Sequence, residues 1–335
     1  MMLIERERAR ELIFNFREIS MLVLGDSMLD QWIWGKVNRI SPEAPVPVVE
    51  VDYYSYSPGG AANVVNNLCS LGARSSIVSI IGEDEYGVRL RQELSGRGVD
   101  VTGLVTDPSR PTTTKSRIIA NHQQVCRTDI EKRDRINGGM TEKLGAHLEE
   151  SLEKHKLVVI SDYNKGLLND GLVGRIMQWK ARTGGKVVVG PKPENIGIFK
   201  GATLIALNEK EAVSVAGEKI NDQESLGRVG QTILSEFKNE AVLITRGEKG
   251  MALFTDKGET ASVSALASEV FDVSGAGDTV LSVVALSLRA GASFREAMIL
   301  SNFAAAVVVK KVGTATVSIS ELIDVIDKQH LSTAF

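Results

Sequence analysis

The sequence predicts an α/β protein: a largely parallel central sheet with helices on both faces, and a small β-sheet serving as a lid. Three observations carry this. The second half alternates short, continuously apolar runs with amphipathic stretches, as buried parallel strands joined by helices do. Two stretches of the first half, near 32–56 and 100–129, interrupt that rhythm with prolines and a hairpin pattern. Polar groups follow the apolar runs one after another, on the edge where open α/β sheets bind ligands.

In chain order, residues 3–16 read as an amphipathic helix with Leu3, Ala9, Leu12, Ile13 and Phe16 on one side. Met21–Leu24 is a short buried strand, and Gly25-Asp-Ser-Met-Leu-Asp30 follows it. Asp26 and Asp30 are there either turn formers or ligand groups at a strand end. Pro42, Pro45 and Pro47 punctuate the next stretch, which ends in the strand-like Val46–Tyr53, and its proline suits a sheet edge. Pro58-Gly-Gly-Ala-Ala-Asn63 opens a helix running to about Leu71. Gly59 and Gly60 allow a ligand close to the backbone, and Asn63 offers a donor and an acceptor to ligand hydroxyls; an ordinary helix entry is the alternative. Ser76–Ile81 reads as a strand, Tyr86–Arg97 as a helix, and Pro111–Asp129 as a hairpin turning around Asn121-His122. The hairpin and the Val46–Tyr53 run together form the lid, which either excludes water from a reaction or is simply an edge sheet. Strands are then expected near 157–161, 186–190, 202–206, 241–245 and 250–255, with helices near 141–155, 170–182, 209–216 and 222–237. No repeat, low-complexity tract or linker divides the chain, so 1–335 reads as one domain.

Composition narrows the function. With 335 residues, 43% hydrophobic content and a net charge of −3, the chain can bury a large core and has no block of Lys and Arg suited to nucleic acid. Cys69 and Cys126 lack metal-ligand spacing, and the four histidines make no zinc pattern. The N-terminus lacks an apolar signal core and no run reaches the ~18 apolar residues of a membrane span, so a cytoplasmic protein without membrane contact is expected.

The most informative stretch is Glu269-Val-Phe-Asp-Val-Ser-Gly-Ala-Gly-Asp-Thr279. A β-leaning run ends at Asp272, a small-residue turn follows, and a helix from Gly277 to Ala290 is apolar on nearly every face, hence deeply buried. The N–H groups of Gly275, Ala276 and Gly277 have no partner inside that helix, and its positive end attracts an oxyanion. Asp278, one step inside, reads as a proton acceptor for a hydroxyl attacking phosphorus. The plain alternative is a Gly-rich turn before a helix-starting acid.

Other strand ends supply further groups. Ser161-Asp-Tyr-Asn-Lys-Gly166 brings Lys165 and Asp162, the latter to hold ligand hydroxyls with Asp30 and Asn63; Gly190-Pro-Lys192 brings Lys192 as a phosphate contact. Asn208 and Glu211 lie one helical turn apart and could order water around Mg²⁺ on nucleotide phosphates. Thr245-Arg-Gly247 puts a hydroxyl and a small residue toward a nucleotide. Each alone also suits a cap or surface turn. No Gly-x-Gly-x-x-Gly follows the first strand and no Walker lysine motif occurs, which disfavours a dinucleotide or P-loop enzyme.

Together these residues resemble the ribokinase-like carbohydrate kinases, the PfkB group, through Gly59-Gly60 with Asn63, Asn208 to Glu211, Thr245 with Gly247, and Asp272-Val-Ser-Gly-Ala-Gly-Asp278. The resemblance implies a three-layer α/β/α kinase using ATP, with Asp278 as catalytic base and the amides of Gly275 to Gly277 as the anion hole. It implies sugar contacts from Asp30, Gly60 and Asn63, and a nucleotide pocket lined by Thr245 and Gly247. Asp272 and Ser274, with carbonyls near Gly313, would hold K⁺. A narrower resemblance, to the D-glycero-β-D-manno-heptose-7-phosphate kinases of ADP-heptose and lipopolysaccharide synthesis, rests on Gly25–Asp30, Arg39–Val48, Pro58–Asn63, Thr112–Arg117 and Ser161–Gly166. It implies phosphorylation of the C1 hydroxyl, with the distal phosphate held by some of Lys115, Arg117, Arg127, Lys165 and Lys192. Gly190 stands where that family usually has Asp, and Ser274 where it usually has Thr. The chain is expected to be a stand-alone kinase without a nucleotidyltransferase part, and a homodimer through an apolar lid face. Another sugar kinase of the group (for ribose, fructose or tagatose 6-phosphate), or a non-catalytic sensor of the same fold, is the rival reading.

Overall fold

The computed structural model describes residues 4–121, 123–267 and 270–332. Leu3, His122 and Glu269, each part of an expectation above, lie outside them.

Among the described residues, nine strands form one sheet in the order β13-β12-β11-β10-β9-β8-β1-β4-β5, and four form a second, β3-β2-β6-β7. Third from one edge of the large sheet is β1 (Ser20–Gly25), flanked by β4 (Arg74–Ile81) and β8 (Leu157–Ser161), both parallel to it. Outward on one side stands β5 (Asp100–Thr106); on the other follow β9 (Lys186–Gly190), β10 (Leu204–Asn208) and β11 (Ala241–Thr245), all parallel. The sheet ends antiparallel in β12 (Met251–Thr255) and β13 (Thr260–Val263).

Strand residues alternate between two cores, as the pleat requires. Met21 and Val23 join the core beneath α1 (Arg6–Phe14), α2 (Ala61–Ser70), α3 (Glu85–Ser95), α8 (Ala276–Arg289), α9 (Phe294–Val308) and α10 (Ile319–Ser332). Leu22 and Leu24 join the core beneath α4 (Gly138–Leu152), α5 (Asp170–Thr183) and α7 (Gln223–Phe237), to which α6 (Glu209–Ala216) adds Ala212. Burial on both faces explains why these strands are uninterrupted apolar runs.

The lid grows out of the end of β1. β2 (Ser27–Ile40) starts just after β1, pairs antiparallel with β3 (Pro47–Gly60) and parallel with β6 (Thr114–Ala120), which returns as β7 (Gln123–Ile130). Pro47 lies on the edge strand β3, where a missing N–H does no harm.

Three expectations need correction. The second lid segment does not begin at residue 100: Asp100–Thr106 is the edge strand of the large sheet, and the lid hairpin starts at Thr114. The β-leaning approach to Asp272 is not a strand over 270–272; it is a loop whose Phe271 and Asp272 N–H groups bond the Val309 carbonyl, leaving Val270 and Phe271 exposed. The first helix ends at Phe14 and continues as a 3₁₀ turn over Asn15–Glu18, although Ala9, Leu12, Ile13 and Phe16 are all buried as expected.

Candidate active site

α8 is enclosed along its length, every residue from Asp278 to Leu288 being buried. Its N-cap is Gly275 at φ 77°, ψ −1°, and no side chain caps it, whereas α4, α5, α6, α7 and α9 each have a side-chain cap. The Ala276 N–H reaches back to the Val273 carbonyl at 3.2 Å. An uncapped, positive helix end of this kind suits an anion. Gly275 is required twice over: its backbone is left-handed, and a Cβ there would come within 2.7 Å of Asn63 Nδ2.

Asp278, in the first turn, is only 6% exposed. Asn63 Nδ2 donates to its Oδ2 at 2.8 Å and the Tyr163 hydroxyl donates to its Oδ1 at 2.7 Å. Burial pushes this carboxyl up to about 6, against the two hydrogen bonds that pull it down; Asp30 adds to the rise and Lys192 opposes it. Asn63 is itself held by α2 and α8 together, since Asn67 Nδ2 donates to the Asn63 carbonyl and Thr279 Oγ1 donates to Asn67 Oδ1.

Two cavities meet at this helix tip. One, of about 470 Å³, is mostly apolar and is lined by Gly247, Met251, Leu266, Val273, Ala276 and Ala305 among others. The second, of about 210 Å³, is the more polar of the two and is lined by Asp162, Tyr163, Lys192, Asn208, Glu211 and Asp278 among others. Thr245, Gly277 and Val280 line both, so the apolar hollow opens into the polar one and the polar one ends at Asp278.

On the far side of Asp278 lies the root of the lid. Asp30 in β2 is buried, and Arg117 of β6 donates to its Oδ1 at 2.5 Å. Burial raises this carboxyl too, with Arg117 opposing. Gly59 is explained by the same carboxylate: a Cβ would stand 2.5 Å from Asp30 Oδ2. Gly60, at φ 57°, starts α2 and has the Asp26 carbonyl 2.4 Å from where its Cβ would be.

Other residues singled out from sequence sit as follows. Asp162, expected to hold ligand hydroxyls, is instead buried with both its oxygens taken up by the N–H groups of Asn164 and Lys192 and the amide of Asn195, so it clamps two strand-end loops together. Lys192 Nζ reaches Glu211 Oε1 at 2.6 Å, within the polar cavity. Asn208 and Glu211 form a reciprocal capping box at the start of α6. Lys165 is buried against Glu131. Lys115 and Arg127 share Asp129 in the lid hairpin. Asp272 accepts from the N–H groups of Ser274 and Gly313, which outweigh burial and lower its pKa, and so tie the helix-tip turn to the loop around Gly313. Among the described residues no cluster of three His, Cys, Asp or Glu side chains is placed to grip a metal ion.

One residue of this centre, Tyr163, carried no signal of its own in the sequence. Tyr163 stood between the flagged Asp162 and Lys165 but touches the proposed base itself. Asp26, read as either a turn former or a ligand group, is buried with Oδ2 accepting from the N–H groups of Tyr163 and Lys165, so it braces the loop after β8.

The geometry agrees with what the chain is similar to. A family model described as pfkB family carbohydrate kinase matches residues 20–321. The bifunctional protein HldE of Geobacter sulfurreducens is 43% identical over 326 residues, covering 97% of this chain and 66% of the relative. That of Geobacter metallireducens is 44% identical with the same coverage. The chain thus spans 66% of the length of these curated relatives. Arabidopsis thaliana ribokinase complexed with ribose and ATP superposes with a TM-score of 0.72 at 17% identity, covering 92% of this chain and 98% of that one. The tetrameric inhibited form of Escherichia coli phosphofructokinase-2 gives 0.76 at 17% identity, covering 93% and 99%. The fold is therefore the ribokinase-like one expected from the sequence, and the chain belongs to the pfkB family of carbohydrate kinases.

Proposed function

We propose that the protein is an ATP-dependent kinase that phosphorylates the C1 hydroxyl of D-glycero-β-D-manno-heptose 7-phosphate, giving the 1,7-bisphosphate used for ADP-heptose. One observation supports this above the rest: an apolar hollow suited to a nucleobase runs into a polar one that ends at an uncapped helix tip and a buried carboxylate. In this reading the adenine lies against Met251, Leu266 and Ala305, and the phosphates follow Thr245 and Gly277 toward the amides of Gly275 to Gly277. Asp30 and Asn63 orient the sugar, Asp278 takes the C1 proton, and the hydroxyl oxygen attacks the γ-phosphorus in line. The helix-tip amides then offset the charge on the transferring group.

A divalent ion such as Mg²⁺ would arrive on the nucleotide phosphates and keep most of its waters, which fits an oxygen set limited to Asn208 and Glu211 at the cavity wall. Bound there it would neutralise phosphate charge. The carboxylate of Asp272 and the hydroxyl of Ser274, beside the Gly313 loop, are hard oxygen donors that suit K⁺. The distal phosphate would draw on Lys115, Arg117 and Arg127, whose present partners, Asp129 and Asp30, occupy the place of an anion. We place the protein in the cytoplasm, as a homodimer joined through the lid.

The direct test is ATP consumption across a panel of sugars: heptose 7-phosphate, unphosphorylated heptose, fructose 6-phosphate, tagatose 6-phosphate and ribose. The expected outcome is turnover with heptose 7-phosphate and a kcat/KM at least 100-fold lower with the unphosphorylated heptose. Turnover with none of them would return the protein to the sensor reading.

A further inference from the structure

The loop after β8 is braced to an extent that its connecting role does not explain. Asn164 is a non-glycine residue at φ 54°, and Gly166 at φ 83° has the Asp134 carbonyl 2.1 Å from the place of a Cβ. Asp26 Oδ2 accepts from the N–H groups of Tyr163 at 2.9 Å and Lys165 at 3.1 Å. Asp162 Oδ1 accepts from Asn164 N–H at 2.8 Å. The buried Arg110 donates to the Lys165 carbonyl at 3.0 Å and is itself paired with Asp107. Two buried carboxylates, a buried guanidinium and an uncommon backbone conformation therefore fix residues 162–166. The side chain this loop delivers toward the reaction centre is the Tyr163 phenol.

We propose that Tyr163 is a positioning residue for phosphoryl transfer, its hydroxyl locking the rotation of the Asp278 carboxylate so that a free lone pair faces the acceptor alcohol. The proposal rests on the reading of Asp278 as the base. A carboxylate has about four acceptor positions; Asn63 takes one on Oδ2 and Tyr163 one on Oδ1, and the two donors on opposite oxygens remove the freedom to rotate. Either donor alone would leave the group free to swing about its Cβ–Cγ bond. Tyr163 is a fitting donor because it stays protonated: burial first, and then the adjacent Asp278, raise its pKa well above the usual phenol value. Lys192 Nζ lies 5.4 Å from the centroid of its ring, which orients the ring as well as the hydroxyl.

The charged and titratable groups around Asp278 and Tyr163 are Asp30 from β2, Lys192 from the loop after β9 and Glu211 from α6. Asp30 and Glu211 disfavour negative charge here; Lys192 and the two hydrogen bonds favour it. Removing the phenol hydroxyl takes away one of the few groups that keep the base ionised, so a higher pH is needed to ionise it.

The test is Tyr163→Phe, which keeps the ring under Lys192, compared with wild type and with Asp278→Asn. Thermal melts and titration with a non-hydrolysable ATP analogue check folding and nucleotide binding, and both are expected to stay near wild type. Turnover is expected to fall about 10- to 100-fold, the worth of a hydrogen bond to a charged group. The acid limb of the kcat/KM profile is expected to move to higher pH, a change that loss of mere wall packing would not produce. Unchanged turnover with an unmoved acid limb would overturn the proposal. So would a loss confined to a raised KM for the sugar, since that would make Tyr163 a direct sugar contact. If Asp278→Asn kept turnover, the base reading would fall and this proposal with it; an inactive Asp278→Asn beside a wild-type-like Tyr163→Phe would remove this proposal alone.

Discussion

A carboxyl group enclosed as Asp278 is, with Asp30 nearby, gives up hydration it has in the unfolded chain, and the bonds from Asn63 and Tyr163 recover only part of it. Its folded pKa of about 6 lies above the ordinary carboxylate value of 3.8. Below 3.8 the group is protonated in both states and costs nothing; between 3.8 and 6 the unfolded chain releases its proton while the folded state keeps it, so stability falls across that window and levels off above 6. Asp278→Asn removes that penalty. The variant is expected to melt like wild type near pH 4 and to be more stable by up to about 3 kcal/mol at pH 8, while turnover drops ~10²–10⁴-fold. Melting curves across that range, with turnover at pH 8, check both halves; a variant less stable than wild type at pH 8 would contradict the burial argument. The opposition of stability and activity at one atom pair is what a functional acid produces and a helix-starting acid does not. Asp278 was legible from sequence because a lone acid heads an otherwise apolar helix. Tyr163 was not, because its meaning lies in a contact made 115 positions away, which no local pattern encodes.

At the scale of elements, the helix tip and the α2 entry act as one unit, since Gly275, Asn63 and Asp278 are fixed by mutual approach rather than by either helix alone. This separates two glycines that look alike in sequence. Gly275→Ala must adopt a left-handed φ and push on Asn63 Nδ2; a stability loss of about 1–3 kcal/mol is expected, together with loss of turnover as Asn63 leaves Asp278. Gly277→Ala meets nothing within 4 Å, so its stability is expected to change by less than about 1 kcal/mol, while its place on both cavities makes KM for ATP rise. Urea unfolding and steady-state kinetics on the pair decide it; equal stability losses would sink the distinction. The parallel strands β8 to β11 were readable because both faces of each are buried. The long strand β2 was not, because its burial runs from enclosed at Ser27–Trp32 to exposed at Arg39–Ile40, so no single period marks it. α9 escaped for the opposite reason: it is packed on nearly every side and shows no polar face to set a helical rhythm.

For the molecule as a whole, the lid carries much exposed apolar surface. Ile40, Val46, Val51, Tyr53, Tyr54, Val125 and Ile130 are all exposed, and all belong to the lid sheet or the loop joining its first two strands. The large sheet, by contrast, covers both its faces with helices. Trp34 and Tyr53 stack with centroids 5.8 Å apart and present a rigid aromatic platform across β2 and β3. Exposed apolar patches of this kind mark interaction surfaces, and pairing with a second copy is the symmetric way to cover one. The double variant Val51→Asp with Tyr53→Asp puts like charges against each other across any such two-fold contact, without touching Asp30, Arg117 or the helix tip. Sedimentation equilibrium is expected to show a dimer for the wild-type protein and a monomer for the variant, with an unchanged melting transition of the monomer's own core at a concentration where both are monomeric. Two aspartates on a surface facing only water would leave the sedimentation mass as it was, and a wild-type monomer at all concentrations would remove the lid contact from the proposal while leaving the chemistry at Asp278 intact.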